Sequence, residues 1–180
     1  MAEAVGVRQA SLYNHFATKD DILAALLEQT VAPTLSFCER LGDDAPAEAR
    51  LYALALFDTA QLVAGRWNLG ALYLLPEVRT ERFAQFHTAR TGLRECYRRL
   101  TVAVLDPLGA GADADDPRAD LPFRLVESAI NIRADRGTDA VADLPDVLAE
   151  AALRVLGFTA PAEPVRDVAR TLVARVADSS

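Results

Sequence analysis

From Ile22 onward, apolar residues recur at intervals of three and four along almost the whole chain, and no stretch shows the strict alternation of a half-buried strand. The pattern predicts an all-α fold. Ile22, Leu23, Leu26, Leu27, Val31 and Leu35 carry a long helix towards Gly42. Thr18 is its N-cap and Asp21, three residues on, completes a capping box. Pro33 falls inside this helix and is expected to bend it. Pro46 opens a second helix, whose Leu51, Tyr52, Leu54, Leu56, Phe57, Leu62 and Val63 point to nearly every side before Gly65 stops it. A helix apolar all round belongs in the middle of a bundle.

A short segment from Asn68 to Leu75 ends at Pro76, and Thr80 is placed to cap the next helix. That helix carries Phe83, Phe86, Leu93, Tyr97, Leu100 and Val104 on one face, with its arginines largely elsewhere. Pro107 and the stretch Gly109 to Asp116 predict a polar loop. Two further helices follow, Leu121 to Arg136 ending at Gly137 and Pro145 to Leu156 ending at Gly157, and Pro164 opens the last, with Val165, Val168, Leu172 and Val176. The later of the two carries a stripe of Leu144, Val147, Leu148, Ala151, Ala152 and Val155. The earlier one, with Leu121, Phe123, Leu125, Val126, Ala129, Ile130 and Ile132, is apolar over a wide arc. Such a helix needs cover on two sides, the core on one and a partner subunit on the other.

Composition narrows the class. The chain has 180 residues and is 51% hydrophobic, enough for a sizeable core. No apolar run approaches the roughly 18 residues of a spanning helix, and no basic segment followed by an apolar one opens the chain, so a cytoplasmic location without membrane contact is expected. Cys38 and Cys96 are distant in sequence and share no ligand spacing with His15 or His87; they are expected to be reduced packing residues, with no metal site or cofactor. The net charge of −7 is unevenly spread: Glu3 against Arg8 and Lys19 leaves the first nineteen residues at +1 and the remainder at −8. An acidic body with a less acidic tip would meet nucleic acid tip first.

That tip carries the most specific motif. Gly6 permits a tight turn between two short helices, while Val7, Leu12 and Phe16 share an inward face. Gln9, Ser11, Tyr13, Asn14 and His15 are left outside: Gln9 and Asn14 have the amides that pair with adenine in the major groove, and Tyr13 and Lys19 suit phosphate. The same spacing is compatible with a surface helix on which Tyr13 and Phe16 only pack. The run Gly6-Val7, Ser11-Leu12-Tyr13, His15-Phe16 and Thr18-Lys19-Asp20-Asp21-Ile22-Leu23 resembles the signature of the TetR family of bacterial transcription regulators.

The resemblance implies a homodimer of all-helical subunits, each with an N-terminal DNA-binding head and a larger domain that binds a small-molecule effector. By position in the motif, Arg8, Gln9, Ala10, Ser11, Tyr13, Asn14, His15 and Lys19 fall where the family contacts double-stranded palindromic operator DNA. The implied division is 1–41 for a partial helix-turn-helix head with its connecting helix, and 42–180 for effector binding and dimerisation, the latter through helices 121–136 and 145–156. The family's first helix would lie ahead of Met1, so the head reads as N-terminally truncated. A valine codon taken as the initiator would account for this, and in-frame translation of the upstream DNA would show the rest.

Phe37, Phe57, Trp67, Tyr73, Phe83, His87 and Asn131 are the residues expected to line an effector pocket, against plain core packing for each. The expected function is an effector-responsive repressor. A ligand- or partner-binding helical dimer without DNA binding is the alternative. An enzyme is disfavoured, since the chain has no Gly-rich phosphate loop, no HExxH, no Gly-x-Ser-x-Gly and no Cys/His cluster.

Overall fold

A computed structural model describes residues 18–64, 68–107, 116–137 and 142–178, and within them the chain forms six α-helices and no strand. These are α1 (Lys19–Arg40), α2 (Ala47–Val63), α3 (Ala84–Leu105), α4 (Leu121–Arg136), α5 (Leu144–Arg154) and α6 (Ala162–Asp178). Three short 3₁₀ turns, Leu69–Leu74, Pro76–Arg79 and Glu81–Phe83, lead into α3, and a fourth, Pro117–Asp120, leads into α4.

Helix α2 is the axis, packed against α1, α3, α4, α5 and α6. Its Leu51, Tyr52, Ala53, Leu54 and Ala55 are all fully buried, a run of five that no amphipathic surface helix could show. Small alanines between the large side chains let five neighbours approach one helix. Leu27, Val31 and Phe37 of α1 belong to the same core as α2 and α6.

The ends of the helices follow local chemistry. Thr18 Oγ1 accepts from the Asp21 amide at 3.2 Å while Asp21 Oδ2 accepts from the Thr18 amide at 2.8 Å, the reciprocal capping box that the sequence specifies. Helix α1 runs through Pro33 to Arg40 and is followed by Gly42 at φ 70°; α4 stops at Gly137, φ 79°, both in the left-handed region where a Cβ is costly. Buried Arg133 closes the end of α2 from outside, donating to the carbonyls of Leu62 at 2.9 Å and Ala64 at 3.1 Å. Those are carbonyls a helix cannot satisfy by itself.

Three expectations shift. Thr80 does not cap α3: its hydroxyl donates back to the Glu77 carbonyl at 3.0 Å, and a 3₁₀ turn intervenes before the helix starts at Ala84. The inward stripe of α5 is Leu148, Ala149, Ala152 and Leu153, whereas Val147 and Val155 are 57% and 41% exposed. Val168 of α6 is likewise exposed. Each is an apolar residue one helical step off the core-facing line, which periodicity alone does not separate from it.

Candidate functional site

A cavity of 450 Å³ lies where the 3₁₀ connection meets α3 and α4. Tyr73 comes from the first 3₁₀ turn, Val78 and Arg79 from the second, Phe86, His87 and Arg90 from one face of α3, and Arg124, Glu127, Ser128, Ile130 and Asn131 from α4. The wall is part apolar and part charged. Tight 3₁₀ turns present side chains every third residue and leave the space that a full helix would fill.

Polar groups are held in defined directions. Thr30 Oγ1 donates to the Leu27 carbonyl at 2.6 Å, so the 2.6 Å contact between Tyr73 and Thr30 is a hydrogen bond donated by the Tyr73 hydroxyl. Burial, the largest influence, raises the pKa of Tyr73 and keeps it a neutral phenol. His87 Nε2 lies 2.7 Å from the Val78 carbonyl, which can only accept, so Nε2 carries a proton and donates it.

Glu127 is clamped from both sides. Arg90 reaches Oε1 through Nε at 2.8 Å and Nη2 at 2.5 Å, and Arg124 Nη1 reaches Oε2 at 2.8 Å. Both guanidinium groups also stack against the Phe123 ring, with Cζ at 5.2 Å and 5.6 Å from its centroid. Three arginines to one carboxylate leave the lining at +2. With the Asn131 amide beside them, this mouth is complementary to a small anion or an acceptor-rich molecule.

Behind the cavity, Asp58 of α2 is fully buried, accepting from Tyr97 of α3 at 2.9 Å and from Thr34 of α1 at 3.2 Å. Burial pushes its carboxyl up to about 7, against the two hydrogen bonds that favour the charged form.

Of the residues expected to line a pocket, the structure brings together Tyr73, His87 and Asn131. Phe37 and Phe57 stack on each other with centroids 4.3 Å apart, and Phe83 is buried in the core; these three do not reach the cavity. Trp67 lies outside the described residues, as do Arg8, Gln9, Ala10, Ser11, Tyr13, Asn14 and His15; Lys19 is exposed at the first position of α1. The sequence reading missed Arg90, Arg124 and Glu127. A carboxylate within the otherwise apolar arc of α4 was the available signal, but only the fold shows that α3 supplies its partner.

The architecture is a buried central helix wrapped by five others, with a polar-mouthed cavity at one side. No family model matches the chain, and no curated protein does. Among solved structures, the crystal structure of Mycobacterium smegmatis AmtR is 50% identical, with a TM-score of 0.85, across 96% of this chain and 82% of that one. The chain therefore belongs to the TetR family of transcription regulators, of which AmtR is a member. TetR-like regulators are homodimers that bind DNA. Among the described residues no helix is long and apolar enough to cross a membrane.

Proposed function

We propose that the chain is a repressor whose grip on a palindromic operator is released by a small, acceptor-rich effector in the Tyr73–His87–Asn131 cavity. Residues 1–41 serve the DNA side and 42–180 the effector and the dimer. The operator contacts fall to Arg8, Gln9, Ala10, Ser11, Tyr13, Asn14, His15 and Lys19.

One observation carries the reading: the cavity wall is tied to the start of α1. Arg79 lines the cavity, and Arg82, one 3₁₀ turn later, donates from Nη2 to Thr18 Oγ1 at 2.8 Å and to Asp21 Oδ1 at 3.2 Å. The Tyr73–Thr30 hydrogen bond makes a second tie, a little over three turns further along α1. An effector that draws in Arg79 or Tyr73 acts on the cap joining α1 to the DNA-reading motif. Differential contacts of this kind are what a ligand needs to shift an equilibrium between two states.

The dimer face is the outward side of α4 and α5. Leu121, Leu125 and Ile132 line one helix and Leu144, Val147, Ala151 and Val155 the other, each at helical spacing; Leu121, Val147 and Val155 are more than a third exposed. Replacing Val147 with aspartate should convert the dimer to monomer in light scattering.

The test is fluorescence anisotropy with labelled palindromes from the DNA flanking its own gene, followed by addition of small carboxylates. Binding that a ligand reverses supports the reading. Dimers that take up ligand yet bind no palindrome at low salt support a ligand-binding dimer without DNA recognition.

A further inference from the structure

Cys38 and Cys96, isolated from each other in sequence, meet in the fold. Cys38 is in the last turn of α1 and Cys96 is at the middle of α3, two helices packed on each other; both are free thiols, and each is the strongest electrostatic influence on the other. The Arg99 guanidinium donates from Nη2 to Cys96 Sγ at 3.3 Å. Cys96 itself is buried; a 340 Å³ cleft lined by Cys38, Arg50, Arg99 and Asp43 opens onto Cys38 and onto the guanidinium that holds Cys96. Two thiols with a cation on one sulfur and an entry path to the other form an arrangement that inert packing does not require.

We propose that Cys38 and Cys96 are a redox-active dithiol that a small hydroperoxide, entering through the cleft beside Cys38, converts to an intramolecular disulfide. The proposal is independent of the effector reading above. In the first step the thiolate of the pair attacks the peroxide oxygen; the O–O bond breaks, the alkoxide leaves and takes up a proton, and the sulfur becomes a sulfenic acid. In the second, the other thiol attacks that sulfur, the S–S bond forms, and hydroxide leaves with the thiol's proton as water. Two thiols and one hydroperoxide thus give one disulfide, one alcohol and one water.

Electrostatics favour the first step. The hydrogen bond from Cys38 lowers the Cys96 thiol to about 7 and Arg99 adds to the effect, while burial and the Glu39 carboxylate oppose it. Sharing that proton and being buried both push Cys38 up, with Arg99 and Arg50 acting the other way. The pair therefore holds one proton tightly and releases the other readily, the condition for a nucleophile backed by a resolving thiol.

The full chain, reduced and then treated with tert-butyl hydroperoxide, should lose the mass of two hydrogens, and peptide mapping without reductant should join Cys38 to Cys96. The Cys38→Ser variant, which keeps its fold by circular dichroism, should not show that loss of two hydrogens within one chain. Replacing Arg99 with methionine should slow the reaction about threefold below neutral pH, the balance of a smaller thiolate fraction and a more basic sulfur. Wild-type thiols that stay free and unoxidised through the treatment, or that form only disulfides between chains, would overturn the proposal.

Discussion

Replacing Asp58 with asparagine should stabilise the protein, increasingly so as the pH rises. Asp58 is fully buried, and its folded pKa stands at about 7 against an ordinary value of 3.8. A carboxyl with a raised folded pKa gives its full support only below the unfolded value. Between 3.8 and about 7 the unfolded chain sheds the proton while the folded chain keeps it, so stability falls through that window and levels off above it. A shift of about three units corresponds to about 4 kcal/mol at completion. From about pH 5 to about pH 8 the change is about 2–3 kcal/mol.

The neutral acid fits the site. Tyr97 can accept from a protonated Asp58 and turn its own proton to the Leu54 carbonyl 3.5 Å away, while Thr34 continues to donate. Asparagine reproduces that arrangement at every pH, with one amide hydrogen left over. Urea unfolding of both proteins at the two pH values gives the comparison. Using the difference between them removes the contribution of Cys96, whose lowered pKa makes stability rise with pH above about 7. A gap between Asp58→Asn and wild type that stays constant from about pH 5 to about pH 8 would refute a buried, protonated Asp58.

Thr18→Ala should cost about 1 kcal/mol and speed amide exchange in the first turn of α1, since it removes the cap and one acceptor of Arg82. Arg133→Met should destabilise by about 3 kcal/mol in thermal unfolding, because the carbonyls of Leu62 and Ala64 lose their donor. Asp120 behaves oppositely to Asp58. Arg94, with Arg98 assisting, holds it down to about 2, so its support is present above the ordinary 3.8 and is lost as pH falls through about 2. Partial solvent screening brings the effect of Asp120→Asn to about 1 kcal/mol at neutral pH, vanishing in acid denaturation curves below about pH 2.

The sequence by itself determined the elements and their class. Helical periodicity, the Thr18–Asp21 capping box, the glycines after α1, α4 and α5, and the all-round apolar character of α2 are local properties, set within a few residues by backbone sterics and the 3.6-residue turn. The Gly6-to-Leu23 motif likewise pointed to the regulator family that the structural likeness establishes. Only the tertiary structure decided which residues meet. Phe37, Phe57 and Tyr73 are equally aromatic in sequence, yet two stack in the core and one walls the cavity, because the crossing of α1 and α2 fixes the first pair and a 3₁₀ turn places the third. The Glu127 clamp draws on α3 and α4, the Asp58 cluster on α1, α2 and α3, and the dithiol on α1 and α3. Each joins side chains more than twenty residues apart, and such proximity comes from how whole helices pack rather than from any local preference.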